Sequence, residues 1–449
     1  MDTPICDFVR RYVASDTVRL HMPGHKGQAV LGCESLDITE ISGADSLYEA
    51  DGVIRDSERN ASSIFGCPTY YSTEGSSLCI RAMLYLVCLH AKERGVERPL
   101  IAAGRNAHKT FLSAAALLDL DVEWLYPDET YSYLACDVTL EAMERVLTAA
   151  RRPDAVYLTS PDYLGNVADI EAIAALCHRY DVLLIVDNAH GAYLKFLPSS
   201  IHPIDLGADL VCDSAHKTLP VLTGGAYLHV SPRVSDVFPT DTVKDALALF
   251  GSTSPSYLIL QSLDAVNPLL TDPDYIAELV SLSCRAEACR EQLTSHGINA
   301  RVGDEPLKLT LYPRFYGYTG DELAALLRED GIECEFSDPD FVVMMLSPAT
   351  SDGDIEKLST VLLSIPRREI KLPPTLKMTH PMRAMSIREA TLSPRESLPI
   401  EHCLGRVLAS PSVGCPPAVP IVVSGEIIDE NALAAFAYYG IESCTVVKC

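Results

Sequence analysis

The chain lacks several things that 449 residues could carry. Its 15 cysteines include no CxxC pair and no repeating metal-ligand spacing, which argues against a disulfide framework and against a zinc module. Their flanks are often apolar, as in LVCLH and LVCDS, the setting of reduced, buried thiols in a cytoplasmic protein. The opening MDTPICDFVRRYVASD has no basic stretch followed by an apolar one, and no apolar run approaches the roughly 18 residues of a membrane span. Export and membrane insertion are therefore not expected, and a cytoplasmic location is. Basic side chains are scarce too: 36 Lys and Arg against 61 Asp and Glu give a net charge of −25. That balance argues against a nucleic-acid partner and is compatible with a cationic small molecule, although many soluble enzymes are acidic merely for solubility. There is no internal repeat and no low-complexity tract.

What is present is an alternation. From about Pro99 to Val230, the β-rich runs PLIAAG, VEWLYP, AVYLTSP, VLLIVD, ADLVCDS and AYLHV are separated by segments such as HKTFLSAAALLDL and DIEAIAALCHRY, whose apolar spacing is near 3.6. Strands alternating with helices imply an α/β layer around a mainly parallel sheet. A long helical stretch from about Pro273 to Gly297 then leads into LKLTLYP, DELAALLREDG, FVVMML and DGDIEKLSTVLLSI, the texture of a smaller α/β domain. The proline-bearing IPRREIKLPPTLKMTHP reads as a linker, and the remainder as a small α/β module. The expected organisation is an amino-terminal arm over 1–58, a large domain over 59–268, a small domain over 269–366, and linker plus module over 367–449.

In parallel α/β sheets ligands bind beyond the carboxyl ends of the strands, so the residues just after each run are the ones to inspect. VLLIVDNAHGAY ends its strand in Asp187, followed by Asn188, Ala189 and His190. Standing alone, Asp187 reads equally well as a turn or cap acid. Thirty positions later, in VCDSAHKTLP, Lys217 follows another strand, with Ser214 and His216 beside it. A strand-end lysine and a strand-end aspartate are what pyridoxal phosphate requires: an amine to form an imine and a carboxylate to keep the ring nitrogen protonated. A buried ammonium is costly, so Lys217 is either exposed or relieved of its charge by chemistry. The cofactor's phosphate needs donors, and YYSTEGSSLCIRAMLYLVCLH places Thr73, Gly75, Ser76 and Ser77 just before a long apolar helix. In AGRNAHKTF, His108 stands after a strand at a helix start, suited to stacking on a cofactor ring or simply to facing solvent.

With these groups in this order, the chain closely resembles the bacterial Orn/Lys/Arg decarboxylases. The likeness runs nearly end to end through HMPGHKG (His21 to Gly27), DITEISGADSLYEADGVI, RNAHKT, LTSPDYLGNVADI, VDNAHGAY, SAHKTL, TSPSY (Thr253 to Tyr257) and GRVLASPSVGCPPAVPIVVSGEII. The resemblance implies the aspartate-aminotransferase fold (fold type I of the pyridoxal-phosphate enzymes), with a large, mainly parallel seven-stranded sheet domain, a small α/β domain and a carboxyl-terminal α/β module. By the same resemblance Lys217 would form the imine, Asp187 would pair with the ring nitrogen and His108 would stack on the ring. Gly75, Ser76, Ser77, Ser214 and His216 would hold the phosphate, Ala189 and His190 would line the cofactor site, and Thr253 would reach the phosphate from a neighbouring subunit. A homodimer, or an assembly of dimers with shared active sites, is implied. The activity implied is decarboxylation of arginine, lysine or ornithine to a polyamine or its precursor and carbon dioxide.

Departures from the family pattern fall at Gly224-Gly225, where many relatives have Gln-Thr, at Glu74, where they have asparagine, and at PPAVPIVVSGE, where they have a PPG…PGE pattern. Other activities of the fold, an aminotransferase or a carbon–sulfur lyase, therefore stay open, as does a catalytically silent regulatory homologue. Glu426 in SGEII is the first candidate for reading the distal cation of a basic substrate, with Asp45 in GADSLY in reserve. His21 and His25 stand four apart, but Pro23 and Gly24 between them disfavour a helix and hence a metal pair; no metal is expected.

Overall fold

The computed structural model describes residues 1–127, 132–300, 302–373, 380–410 and 419–448. Parts of the expected linker (374–379) and of the PSVGCPPAV stretch (411–418) lie outside the described residues.

Seven short strands make the main sheet: β1 (Thr69–Ser72), β2 (Leu100–Gly104), β3 (Asp121–Leu125), β4 (Ala155–Thr159), β5 (Leu183–Asp187), β6 (Leu210–Asp213) and β7 (Ala226–Val230). Their order is β1-β7-β6-β5-β4-β2-β3. β2 runs parallel to β3 and β4, and β5 to β6, whereas β7 is antiparallel to both β6 and β1. The mixed α/β class and the mainly parallel seven-stranded sheet are thus as expected. β5 shows why its strands were legible: all of Leu-Leu-Ile-Val-Asp is buried, and a parallel strand covered on both faces reads as an unbroken apolar run. β1, sequence TYYS, has no such run.

The chain forms two compact units, Met1–Gly95 with Leu183–Leu279, and Val96–Val182 with Val280–Cys449. In the first, the helix Gly75–Glu93 buries Leu78, Cys79, Ile80, Met83, Leu84, Leu86 and Val87 and packs on β6, β7 and the helix Thr240–Ala248. The Glu58 and Lys244 side chains, both nearly inaccessible and 2.6 Å apart, tie the helix Val53–Phe65 to Thr240–Ala248. Neither charge could be buried alone without a cost of several kcal/mol.

In the second unit, β8 (Lys308–Leu311), β9 (Phe336–Ser337) and β10 (Val342–Met345) form an antiparallel sheet in the order β8-β10-β9. Two helices, Gly320–Glu329 and Asp352–Ser364, each open on a reciprocal capping box, Thr319 with Glu322 and Ser351 with Asp354. They bury Leu323, Leu327, Leu358 and Leu362 against Leu309, Leu311, Val342 and Met344. A third sheet, β11 (Arg395–Pro399), β12 (Leu408–Ser410) and β13 (Ser443–Val447) in the order β11-β13-β12, lies over a core that includes Cys403, Leu408, Ile421, Val422, Phe436 and Val446. Among the described residues no helix is long and apolar enough to cross a membrane.

Candidate active site

The first unit brings the strand-end residues together. β5 and β6 pair in parallel with Asp187 opposite Cys212, so their carboxyl ends stand side by side. Asp187 is buried. Its Oδ1 accepts the Ala189 N–H at 3.2 Å and the Cys212 thiol at 3.6 Å. Burial and the neighbouring Asp187 charge push the Cys212 thiol well up, which keeps its proton in place as a donor. Neither Ala189 nor Cys212 has chemistry of its own here; both hold the carboxylate at the strand end.

After β6 the chain turns through a single helical turn, Ala215–Thr218. Lys217 on that turn is half-buried, with His216 half-exposed beside it. The Lys217 Nζ lies 2.9 Å from the Nε2 of His190, itself buried three residues beyond Asp187. Asp187, His190 and Lys217 therefore occupy one corner, and the His190 contact gives that residue a sharper place than cofactor lining alone.

Beside them, the helix Gly75–Glu93 begins with Glu74 as its N-cap, no side-chain cap and no acid in its first turn. An uncapped helix start carries orphan N–H donors and a partial positive charge, the setting for an anion. Two hydroxyls stand at that start: the Ser214 hydroxyl donates to Ser76 Oγ at 2.8 Å. Ser77 is on the same first turn. The His216 imidazole is oriented by the Gly225 carbonyl, 2.9 Å from its Nδ1.

The departures acquire physical reasons. Gly224 adopts φ +101, and a Cβ there would lie 2.9 Å from the Thr73 carbonyl oxygen, so only glycine lets this loop approach the helix start. Its own carbonyl accepts the Gly75 N–H at 2.7 Å. Glu74, an acid beside an anion site, turns its Oε1 to the Ser252 N–H at 2.5 Å. That contact also brings the segment carrying Thr253, exposed in this chain, to the chain's own helix start.

Asp45 belongs to the same unit, at φ 74. Its carboxylate accepts N–H groups from Ser46, Asp51, Gly52, Ile54 and Arg55. Burial alone would raise it, but these donors hold it below the ordinary carboxylate range. Both its oxygens are committed to folding the 45–55 loop.

In the second unit, His108 is the N-cap of the helix Lys109–Leu118. Its Nδ1 accepts the Thr110 N–H at 3.2 Å and lies 2.9 Å from the Thr110 hydroxyl. Glu426, in the same unit, is buried: its Oε2 takes a guanidinium N–H of Arg105 at 3.1 Å and the Val423 N–H at 2.8 Å. Desolvation raises the Glu426 carboxyl despite the Arg105 charge. Arg105, which follows β2 directly, also donates to the Pro420 and Ile421 carbonyls and lies over the Trp124 ring at 5.2 Å. The sequence reading overlooked Arg105, although a cation ending an apolar run in LIAAGRN is the signal used for Lys217.

The donor set of the first unit matches a pyridoxal phosphate: an amine, a buried carboxylate, and an uncapped helix start furnished with hydroxyls. Comparison with known proteins agrees with this reading of the fold. The family described as Orn/Lys/Arg decarboxylase, major domain, matches residues 3–293. The chain belongs to the Orn/Lys/Arg decarboxylase family. It is 28% identical to an arginine decarboxylase of Bacillus subtilis (strain 168), over 96% of this chain and 92% of that protein. The constitutive lysine decarboxylase of E. coli superposes with a TM-score of 0.77 at 18% identity, covering all of this chain and 82% of the other. A lysine decarboxylase of Francisella novicida gives 0.79 at 17% identity, covering 99% and 81%. At such identities the two structures speak for the fold, and the family match makes this protein a decarboxylase.

Proposed function

We propose that this decarboxylase depends on pyridoxal phosphate and acts on a basic amino acid, with arginine or lysine ahead of ornithine. The observation that carries the reading is the corner formed by Lys217, His190 and Asp187 at the ends of β5 and β6, beside an uncapped helix start. Lys217 is the amine that would carry the cofactor covalently. Asp187 would face its ring nitrogen, and Ser76, Ser77, Ser214 and His216 would hold its phosphate, while Gly75, its N–H held by the Gly224 carbonyl, shapes the loop at the helix start. The family resemblance adds His108 against the ring and Thr253 from a second subunit of a homodimer in the cytoplasm. When bound, the cofactor supplies an electron sink for the pair left on the α-carbon as carbon dioxide departs.

The chain's own residues supply the rest. Asp187, a carboxylate fixed by Ala189 and Cys212, favours positive charge at the end of β5. Lys217 Nζ and His190 Nε2, hydrogen-bonded at 2.9 Å, form a pair between which a proton can pass. The net reaction releases one carbon dioxide and takes up one proton at the α-carbon. Preference for arginine or lysine follows from the activities named for the relatives and from the fit of a basic substrate to an acidic chain.

Reduction of the cofactor-loaded protein with borohydride, followed by peptide mapping, tests the reading. A phosphopyridoxyl label on Lys217 supports it. A label on any other lysine removes the assignment, and failure to bind pyridoxal phosphate removes the cofactor.

A further inference from the structure

Behind the candidate site, on the other face of the sheet, lies a buried cluster that the reaction as proposed does not use. Side chains alternate along a strand, so Cys212 faces Asp187 while Asp213, the last residue of β6, points the opposite way. Asp213, His202 and His229 are all fully buried. Asp213 Oδ2 lies 3.0 Å from His202 Nε2 and 3.0 Å from His229 Nε2. The other oxygen, Oδ1, accepts the Asn188 amide N–H at 2.6 Å. Asn188 directly follows Asp187 and stands two residues before His190.

Proton positions follow from the partners. The Ile204 N–H is donated to His202 Nδ1 at 3.3 Å, so the ring proton of His202 sits on Nε2 and points at Asp213. His229 Nδ1 is 2.9 Å from the Thr69 hydroxyl, and that hydroxyl also lies 3.1 Å from the Cys67 carbonyl, to which it can donate. When it does, Thr69 Oγ1 accepts from His229 Nδ1 and the ring holds a proton on each nitrogen, an imidazolium beside the Asp213 carboxylate with no net charge to bury. Burial alone would push Asp213 up and His229 down. Their mutual charge and hydrogen bonds prevail, holding Asp213 well below and His229 above their ordinary values. The three side chains are close enough to bracket a metal ion, but both Nε2 atoms are occupied as donors, so hydrogen bonding rather than ligation is what the cluster is arranged for.

Asn188 shows how tightly the link is made. Its Oδ1 is buried with no hydrogen-bond partner, and a Cβ on Gly191 would sit 2.0 Å from it. The amide thus gives up one acceptor, and the next turn must be glycine, while the charge-assisted bond to Asp213 is kept. Its backbone N–H is held by the Cys212 carbonyl at 2.9 Å.

We propose that Asp213 is a positioning residue for the decarboxylase: paired with His229 and His202, it grips the Asn188 amide and so fixes the Asp187–His190 loop against the turn that carries Lys217. This inference rests on the proposed function of that corner, and it assigns a task to a charge cluster that touches neither substrate nor cofactor.

The test compares Asn188→Ala, Asp213→Asn and the double variant as pyridoxal-phosphate holoenzymes. Asn188→Ala leaves the charge cluster whole and cuts only the link. It should lower kcat about tenfold or more with KM within twofold, weaken the visible circular-dichroism band of the bound cofactor, and keep the wild-type far-ultraviolet spectrum. The double variant should be no worse than the poorer single one, because both cut the same connection. Nitrogen-15 spectra of the wild-type histidines should show His229 protonated on both nitrogens. Should Asp213→Asn not fold, Asn188→Ala and the nitrogen spectra decide. An Asn188→Ala holoenzyme with wild-type kcat and an unchanged visible band overturns the proposal, as does a neutral His229. A wild-type protein that neither binds pyridoxal phosphate nor decarboxylates would instead defeat the function on which it rests.

Discussion

Lys217 Nζ and His190 Nε2 are hydrogen-bonded at 2.9 Å, between residues on the two segments that follow the adjacent parallel strands β6 and β5. An imidazole at that distance can take the proton that an ammonium must lose before it attacks an aldehyde. Replacing His190 by alanine is therefore expected to slow covalent capture of pyridoxal phosphate by the cofactor-free protein at neutral pH on the order of 10²-fold. Stopped-flow growth of the visible absorption band measures this; an unchanged capture rate would leave His190 a lining residue only.

Asp187→Asn should separate chemistry from binding. The substitution preserves size and hydrogen bonding but removes the charge at the end of β5, while the hydroxyls of Ser76, Ser77 and Ser214 at the helix start stay in place for the phosphate. Turnover is expected to fall on the order of 10²-fold or more, with the cofactor dissociation constant changed far less. Equal losses in both would assign Asp187 to cofactor retention.

The Arg105–Glu426 pair predicts a stability effect. With both side chains nearly inaccessible and 3.1 Å apart, Glu426→Gln leaves a buried guanidinium without its counter-charge, at a cost on the order of 3–5 kcal/mol. Urea unfolding should show this, and the Michaelis constants for arginine and lysine should stay within twofold. A raised Michaelis constant for both, at full stability, would return Glu426 to the role of reading the substrate cation.

A pH effect follows from Asp338, buried between the Gly320–Glu329 helix start and β10. Desolvation, with the nearby Asp340 and Asp321 charges, outweighs the Phe341 and Asp340 N–H donors and raises its carboxyl to about 7. A group held above its unfolded value binds its proton more tightly when folded, so stability is greatest below the unfolded value and declines as pH rises toward about 7. The urea midpoint should therefore fall through that window. In Asp338→Asn the corresponding part of the fall should vanish; an identical pH dependence in the two proteins would contradict the assignment.

Much of this was legible without coordinates because the informative residues sit where strands end. β5 and β6 are apolar runs that end in Asp187 and Asp213, and Lys217 follows on the short turn after the second. The helix Gly75–Glu93 announced itself by length and its small opening residues. Other features carry no local signal. β1 is four residues with polar ends, and its place in the sheet comes from pairing with β7. The Asp213 cluster joins positions 188, 202, 213 and 229 from separate elements, and only the fold assembles them. Asp45 reads as a free acid in GADSLY until the backbone of residues 46–55 turns its N–H groups inward.

The central claim is decarboxylation of a basic amino acid at Lys217, and one measurement meets it directly. The cofactor-loaded protein is incubated with each of the twenty amino acids separately, and carbon dioxide and amine products are quantified by mass spectrometry, with Lys217→Ala alongside. The account predicts equimolar carbon dioxide and the corresponding amine from arginine or lysine, and neither from the Lys217→Ala protein. A keto acid in place of the amine, best consumption of a neutral amino acid, or undiminished product from Lys217→Ala would contradict it.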